Sequence, residues 1–306
     1  MSSEPQPGAL PTRTRTMTGN PALRGMALMF VGTFFVAAMI GSIRYLSATL
    51  HPFEIVLFRN LFALMVVLPW FCRYGIAPLR TQRFGLHALR ALFNIVTMLC
   101  FFYAVSVAPL SEVTALGFSS PIFATVLAAL LLGEVVPARR WAAIAFGFLG
   151  ALIILRPGFA SVGTGQLLAL LSAMAWSCAL MAIKTLGRTD SSATIVTYMV
   201  LLMVPLSLGP ALFVWQWPAP HEWGWLIAVG VLGGLGQFCV TEALRQADTA
   251  VVMPIDFVKL IWVALIAWLA FGEHLDLFTW IGGATIFASA VSLVYRDRAS
   301  GTPPRT

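Results

Sequence analysis

Ten apolar stretches of about 18–22 residues fill almost the whole chain between Met26 and Tyr295, separated only by short polar turns. A helix rises about 1.5 Å per residue, so about 20 residues cross the roughly 30 Å hydrocarbon core of a bilayer. Backbone groups cannot stay unpaired in lipid, so runs of this length are helices. The spans read as Met26–Ile43, Glu54–Cys72, Leu86–Ser106, Glu112–Leu132 and Arg139–Leu155. A second set follows: Gly165–Thr185, Ala193–Val214, Trp223–Arg245, Thr249–Phe271 and Leu275–Tyr295. The expected fold class is an all-α membrane protein with ten transmembrane helices.

Charged residues are 10% of the 306 and hydrophobic residues 59%, whereas a soluble domain has about 25% charged residues. The net charge of +7 could suit nucleic acid, but the charges sit in turns and form no groove or recognised motif, so no nucleic-acid partner is expected. Topology explains them better. With the N-terminus inside, 14 of the 19 Lys and Arg fall in cytoplasmic tails and turns, and two, Arg44 and Arg156, fall outside. Arg59, Arg90 and Lys259 lie within spans. This bias places both termini in the cytoplasm and requires an even number of spans.

The chain also repeats itself. A shift of about 139 residues lays Gly133-Glu134 on Gly272-Glu273, Trp141 on Trp280, Ala104 on Ala243, Ala108 on Ala247 and Val113 on Val252. A shift of 140 lays Gly25 on Gly165 and Arg44 on Lys184. Five spans per half is an odd number, so the halves insert with opposite orientation, as in many secondary transporters. The expected organisation is a cytoplasmic tail at 1–24, a five-helix repeat at 25–156, a connecting loop at 157–164, a second repeat at 165–295 and a cytoplasmic tail at 296–306.

The run FYAVSVAPLSEVTALGFSSPIFATVLAALLLGE from Phe102 to Glu134, the RPG at Arg156–Gly158, and the echo EALRQADTAVVMPIDFVKLIWVALIAWLAFGE from Glu242 to Glu273 carry a family resemblance. They resemble the drug/metabolite transporter superfamily and its ten-helix EamA-type members. The resemblance implies a bacterial inner-membrane location. It also implies a central cavity between the halves, lined mainly by the first, third, fourth, sixth, eighth and ninth helices. It is weak on substrate, because similar chains move amino acids, nucleotides, vitamins, methylated cofactors and drugs.

An ionisable side chain at mid-bilayer costs about 2.5–3.5 kcal/mol on insertion scales, so each is a functional candidate. Lys259 lies near the middle of the ninth span, with Asp256 three residues earlier on the same face. Either the pair neutralises itself and holds the helix in place, or it faces a wet cavity. In the second case the ammonium of a zwitterionic substrate meets Asp256 and its carboxylate meets Lys259. The repeat carries Lys259 back onto Ser120, beside Ser119 and Pro121, and Pro254 lies shortly before Lys259. A proline frees a helix carbonyl, and such breaks are where midplane sites form; a packing kink is the plainer alternative. Asn94 and Gln237 are neutral hydrogen-bonding groups at depth, for substrate or for helix-to-helix contact. Tyr103, Trp176 and Trp262 can stack on a planar substrate or pack in the core.

The remaining polar residues read as structural. Arg90 snorkels to the cytoplasmic face and Arg59 pairs with Glu54. The matched positions of Glu134 and Glu273 suit gating or helix-end roles, and the simpler reading leaves them in water after a helix-breaking glycine. Gly230 and Gly234, and Ala143, Gly147 and Ala151, allow close helix approach within the bundle or at a dimer contact, so both a monomer and a homodimer fit. Cys72, Cys100, Cys178 and Cys239 read as small packing residues, and the four histidines have no metal spacing. No phosphate loop or nucleophile elbow is present, and Asp, His and Glu are too dispersed for an enzyme acting on lipid substrates. Neither catalysis nor a cofactor nor a metal is expected; the partners are a small-molecule substrate and the bilayer.

The expected function is a secondary active transporter working by alternating access on a small polar or zwitterionic, amino-acid-like metabolite. A larger aromatic or nucleoside-like metabolite or vitamin is the alternative. Asp256 is the leading proton-coupling candidate, with Glu112 and Glu242 at span ends.

Overall fold

The computed structural model describes residues 21–74, 81–120, 122–124, 126–127, 138–155, 163–187, 189–246, 255–256, 258–273 and 276–299. Residues 1–20 and 300–306 of the tails, most of the connecting loop, Pro121, Glu134 and Pro254 lie outside the described residues. Helices run over Pro21–Leu46 (α1), Pro52–Tyr74 (α2), Phe84–Val107 (α3), Leu110–Gly117 (α4) and Ala138–Leu155 (α5). The second half has Thr164–Leu186 (α6), Ser192–Leu212 (α7), Glu222–Gln246 (α8), Val258–Phe271 (α9) and Leu277–Ala299 (α10). Among the described residues, Leu23–Leu46, Phe84–Val107, Thr164–Ile183, Thr194–Leu212 and Glu222–Ala243 are long and apolar enough to cross a bilayer. Shorter apolar helices cover Ile144–Ile154, Val258–Phe271 and Leu277–Ser289.

Local chemistry sets several ends. Pro52 opens α2, where a missing N–H costs nothing. Ser191 caps α7 by accepting the Thr194 N–H at 3.1 Å. Gly272 ends α9 in the left-handed region, at φ +64. Its N–H then reaches Trp268 O at 3.2 Å, and the Glu273 N–H reaches Ala267 O at 3.0 Å, which turns the chain sharply back.

The fourth span is interrupted, where the sequence suggested one run from Glu112 to Leu132. Helix α4 stops at Gly117, the chain turns through Phe118 and Ser119, and helical residues resume at Ser120. The physical reason lies one turn ahead. A proline at 121 has no N–H for the Gly117 carbonyl. That carbonyl instead accepts the Ser120 hydroxyl at 2.7 Å.

Packing is not sequential. Helix α1 lies mainly along α8 and α3 mainly along α6, while α2 meets α7, α4 meets α9 and α5 meets α10. Exchanging the halves maps this set of neighbours onto itself, so the two five-helix repeats are related by a pseudo-two-fold axis. The register supplies the inversion. Gly147 faces Ser289, Gly150 faces Ile286 and Gly282 faces Ile154, so the equivalent helices α5 and α10 run antiparallel. Helices α2 and α8 run parallel, since Gly230 sits on Phe62 and Gly234 on Val66. The contact at α5 and α10 is backbone against backbone: a Cβ on Gly150 would lie 2.7 Å from Gly282 O, and one on Gly282 would lie 2.6 Å from Gly150 O.

Candidate functional site

A cavity of about 260 Å3 lies at the centre of the bundle. Met39 of α1, Arg59 of α2, Phe101 of α3, Phe118 after α4, Trp176 of α6, Gly233 of α8 and Lys259 of α9 all contribute to its wall. It is mostly apolar, rich in aromatic and methionine side chains, with few polar groups, as ligand pockets commonly are. Six of the residues singled out from sequence line it: Asn94, Ser120, Trp176, Gln237, Asp256 and Lys259.

Lys259 is held on two sides. Its Nζ donates to Asp256 Oδ1 and Oδ2 at 3.1 and 2.9 Å, and it stands 4.8 Å from the centre of the Phe118 ring. The cation therefore joins α9 to the break after α4, its equivalent in the other repeat. Both members of the ion pair keep about a fifth of their side-chain surface exposed (20% and 22%), so the pair is reachable from the cavity. Gln237 donates to Thr241 Oγ1 at 3.3 Å within α8. Asn94 is buried, and its Nδ2 has no partner among the described residues.

Three residues named from sequence lie off the cavity wall, and Pro121 lies outside the described residues. Tyr103 packs near His51 and Phe53 at one end of the bundle. Trp262 meets Phe30 and Phe34 edge-on, on the outward side of α1, where both phenylalanines are nearly half exposed. Ser119 is buried in the turn after α4, with its hydroxyl unpaired. Of the carboxylates named with Asp256, Glu112 accepts from Gln166 of α6 at 3.0 Å and Glu242 accepts from Gln246 at 2.7 Å. Neither borders the cavity.

Two structural expectations are corrected, and one pair of alternatives is decided. Arg59 does not pair with Glu54. Five residues separate them, which puts them about 140° apart around a helix. Glu54 instead accepts the Gln216 N–H in the connection between α7 and α8, and Arg59 turns into the cavity. That angle was available in the sequence and is the signal that would have found Arg59. Arg90 does not snorkel. It is 1% exposed and ties α3 to α7 by donating to Ile195 O at 2.8 Å, because α7 offers a carbonyl where water was expected. Of the two readings of Glu273, the geometry favours the helix-end role over the solvated one. Glu273 accepts from Arg44 at 3.1 Å and from the Leu110 N–H, in the first turn of α4, at 3.1 Å. A carboxylate is stabilised at a helix N-terminus, and the turn at Gly272 aims it there.

Polar ties of this kind lie at both ends of the bundle. The end carrying Arg44 and Glu273 also joins Thr49 to Glu222. At the opposite end Asp190, between α6 and α7, accepts from Thr81 at 2.7 Å and lies 2.7 Å from His87 Nε2. The His87 ring stacks on Tyr198 of α7 at 4.6 Å. Burial pushes the Asp190 carboxyl up, but hydrogen bonds from His87 and Thr81 and the His87 charge outweigh it, and the carboxyl titrates below the ordinary aspartate value. Its stabilising effect is therefore complete above that ordinary value and lost as the pH falls through the lowered one. Asp190→Asn is expected to lower stability by about 1–3 kcal/mol at neutral pH. Melting curves of the detergent-solubilised proteins, followed down to acid pH, are expected to converge.

An inverted two-repeat helical bundle around a central, sparsely polar cavity is the build of a membrane transporter. The sequence pattern of the EamA-like transporter family matches residues 23–156 and 163–295, and the chain belongs to that family. It is 36% identical to a riboflavin transporter of Vibrio cholerae over 230 residues, 74% of this chain and 77% of that one. It is 28% identical to an S-adenosylmethionine uptake transporter of Rickettsia bellii over 83% of this chain and 88% of that one. It is 29% identical to a pseudopaline exporter of Pseudomonas aeruginosa over 88% of this chain and 95% of that one. A solved crystal structure shares the fold with a TM-score of 0.63 and 17% identity, covering 92% of this chain and 99% of that one. The chain is thus a multi-pass membrane transporter rather than an enzyme.

Proposed function

We propose that this protein is a secondary active transporter, working by alternating access, whose cargo is a planar heteroaromatic metabolite of the flavin or nucleoside class. The observation that carries this reading is the cavity wall. Trp176, Phe101 and Phe118 offer faces for stacking, Met39 and Met98 adapt to an irregular outline, and the Asn94 and Gln237 amides supply orienting hydrogen bonds. The relatives named for riboflavin and for S-adenosylmethionine both carry cargo with a planar heteroaromatic ring.

A zwitterionic, amino-acid-like cargo is the second reading, and one observation favours it. Asp256 and Lys259 present opposite charges to the same cavity and can exchange partners with an ammonium and a carboxylate. S-adenosylmethionine satisfies both readings. Riboflavin satisfies only the first, and simple amino acids only the second. Purified protein titrated with each while tryptophan emission is followed separates them. Saturable quenching by riboflavin or S-adenosylmethionine, with a rise in melting temperature, is the expected result. Quenching by simple amino acids alone would replace the first reading with the second.

With no nucleotide-binding motif in the chain, the driving force is a gradient. Asp256 is the proposed proton carrier. Flux into proteoliposomes with and without a pH gradient tests this: a flux indifferent to the gradient removes Asp256 from that role. The proposed setting is the bacterial inner membrane with both termini cytoplasmic, and a reporter fused after Thr306 that proves extracellular overturns it.

A further inference from the structure

The cavity wall carries four hydroxyl side chains, and three are already committed. Thr97 donates to Phe93 O at 2.8 Å, Thr114 to Leu110 O at 2.7 Å and Ser120 to Gly117 O at 2.7 Å. Ser172 of α6 is the fourth. It is 4% exposed, it borders the cavity, and its hydroxyl makes no hydrogen bond among the described residues. A serine inside a helix ordinarily satisfies itself by donating to a carbonyl three or four residues back. Ser177 on the same helix does so, reaching Met174 O at 2.6 Å. The corresponding carbonyls for Ser172 belong to Leu168 and Ala169, both described, and it uses neither. Buried polar groups are nearly always satisfied, so an uncommitted hydroxyl on a cavity wall points to a partner from inside the cavity.

Packing does not account for this hydroxyl. The shift of 140 residues that relates α1 to α6 lays Ser172 on Gly32. Helix α1 lies along α8 as α6 lies along α3, and there a glycine suffices. The pairing that recurs in both halves therefore needs no hydroxyl at this position.

Ser172 shares its face of α6 with Trp176, four residues on, and both border the cavity. Residues at this spacing have Cβ atoms about 5–6 Å apart. A planar ring stacked on Trp176 thus brings its substituent within reach of the Ser172 hydroxyl. A serine hydroxyl both donates and accepts, and the partner that matches it fully is another hydroxyl. Charged groups are drawn instead to Asp256 and Lys259 of α9.

We propose that Ser172 is a specificity-determining residue that binds an aliphatic hydroxyl carried beside the planar ring of the cargo. A ribityl chain has this group, and so does a ribose ring. This inference rests on the planar heteroaromatic reading above and names the substituent that the cavity recognises.

The experiment pairs each hydroxylated probe with the same ring bearing a methyl group in its place: riboflavin with lumiflavin, and adenosine with 9-methyladenine. All four are titrated calorimetrically into full-length purified wild type and Ser172→Ala. The hydroxylated probe that the wild type takes is expected to bind Ser172→Ala about three- to tenfold more weakly, the effect of one neutral hydrogen bond, and its methyl partner to stay within about twofold. A selective loss for riboflavin assigns the ribityl chain, and one for adenosine the ribose. Equal loss in both members of a pair, or no loss in either, overturns the proposal. Without ligand, Ser172→Ala is expected to melt at or above the wild-type temperature, because no bond is lost and alanine is the better helix former. A lower melting temperature marks a structural hydroxyl and also overturns it. As a second measurement, Ser172→Cys is expected to react with a small methanethiosulfonate faster than Ser177→Cys, a fully buried position off the cavity wall, with the labelled residue mapped by mass spectrometry. Equally slow reaction of the two overturns the proposal. If the wild type takes neither hydroxylated probe, the cargo class proposed above fails and this assignment falls with it. If the wild type and Ser172→Ala take a probe equally well, this assignment alone falls.

Discussion

Lys259→Met, expressed in the membrane at the wild-type level, is expected to transport at less than a tenth of the wild-type rate, and Asp256→Asn to do the same. Each single change leaves a partner charge in a mostly apolar cavity without its counter-ion. Breaking a buried pair in this way costs about 3–5 kcal/mol, and partial exposure of this pair to the cavity reduces that figure. The rate therefore falls through the site more than through the fold. The decisive comparison is the double variant Lys259→Met with Asp256→Asn. It removes both charges, so an ion pair serving only to hold α9 would be replaced without loss, and transport would return. Continued inactivity at normal expression and melting temperature is the expected result and assigns the pair to the cargo or to its coupling ion.

Gly150→Val is expected to have the largest effect on the fold. A Cβ on Gly150 meets the Gly282 carbonyl at 2.7 Å and the Ile286 backbone nitrogen at 2.9 Å. Neither obstacle is a side chain that can swing away, so α5 and α10 must separate. Overpacking costs about 1–3 kcal/mol where side chains can adjust, and here the loss is expected at or above that range. Size-exclusion profiles in detergent are expected to shift to aggregate, and the melting temperature to fall by several degrees. Gly224→Val is the control, since nothing stands within 4 Å of a Cβ there. Equal stability of the two variants would remove the backbone contact from the account.

The same pair of helices shows what could be read in advance and what could not. Spacing of small residues at Ala143, Gly147 and Ala151 announced a close approach by α5, but not its partner. The partner is α10, 130 or so residues away, and the closest backbone contact involves Gly150, outside that spacing. Likewise Asn94, Trp176, Gln237, Asp256 and Lys259 were conspicuous because polar or aromatic groups at mid-span stand out against lipid. Arg59 was missed because a nearby acid of opposite charge looked like its partner, although it lies on another face of the helix. Tyr103 and Trp262 were chosen by residue type, and type does not say which side of a helix faces the cavity.

Hydrophobic run length and the distribution of Lys and Arg are properties of the chain in order, and they determined a helical membrane protein of ten segments. The doubled pattern at a shift of about 139 residues determined two oppositely inserted halves. Which helices touch was decided only in three dimensions. Bilayer insertion is satisfied by any arrangement of apolar helices, whereas their association depends on close packing between surfaces far apart in sequence. That packing set α1 on α8 and α3 on α6, turned Arg90 and Glu273 inward as ties, and set Arg59 in the cavity wall between Asn60 and Gly233.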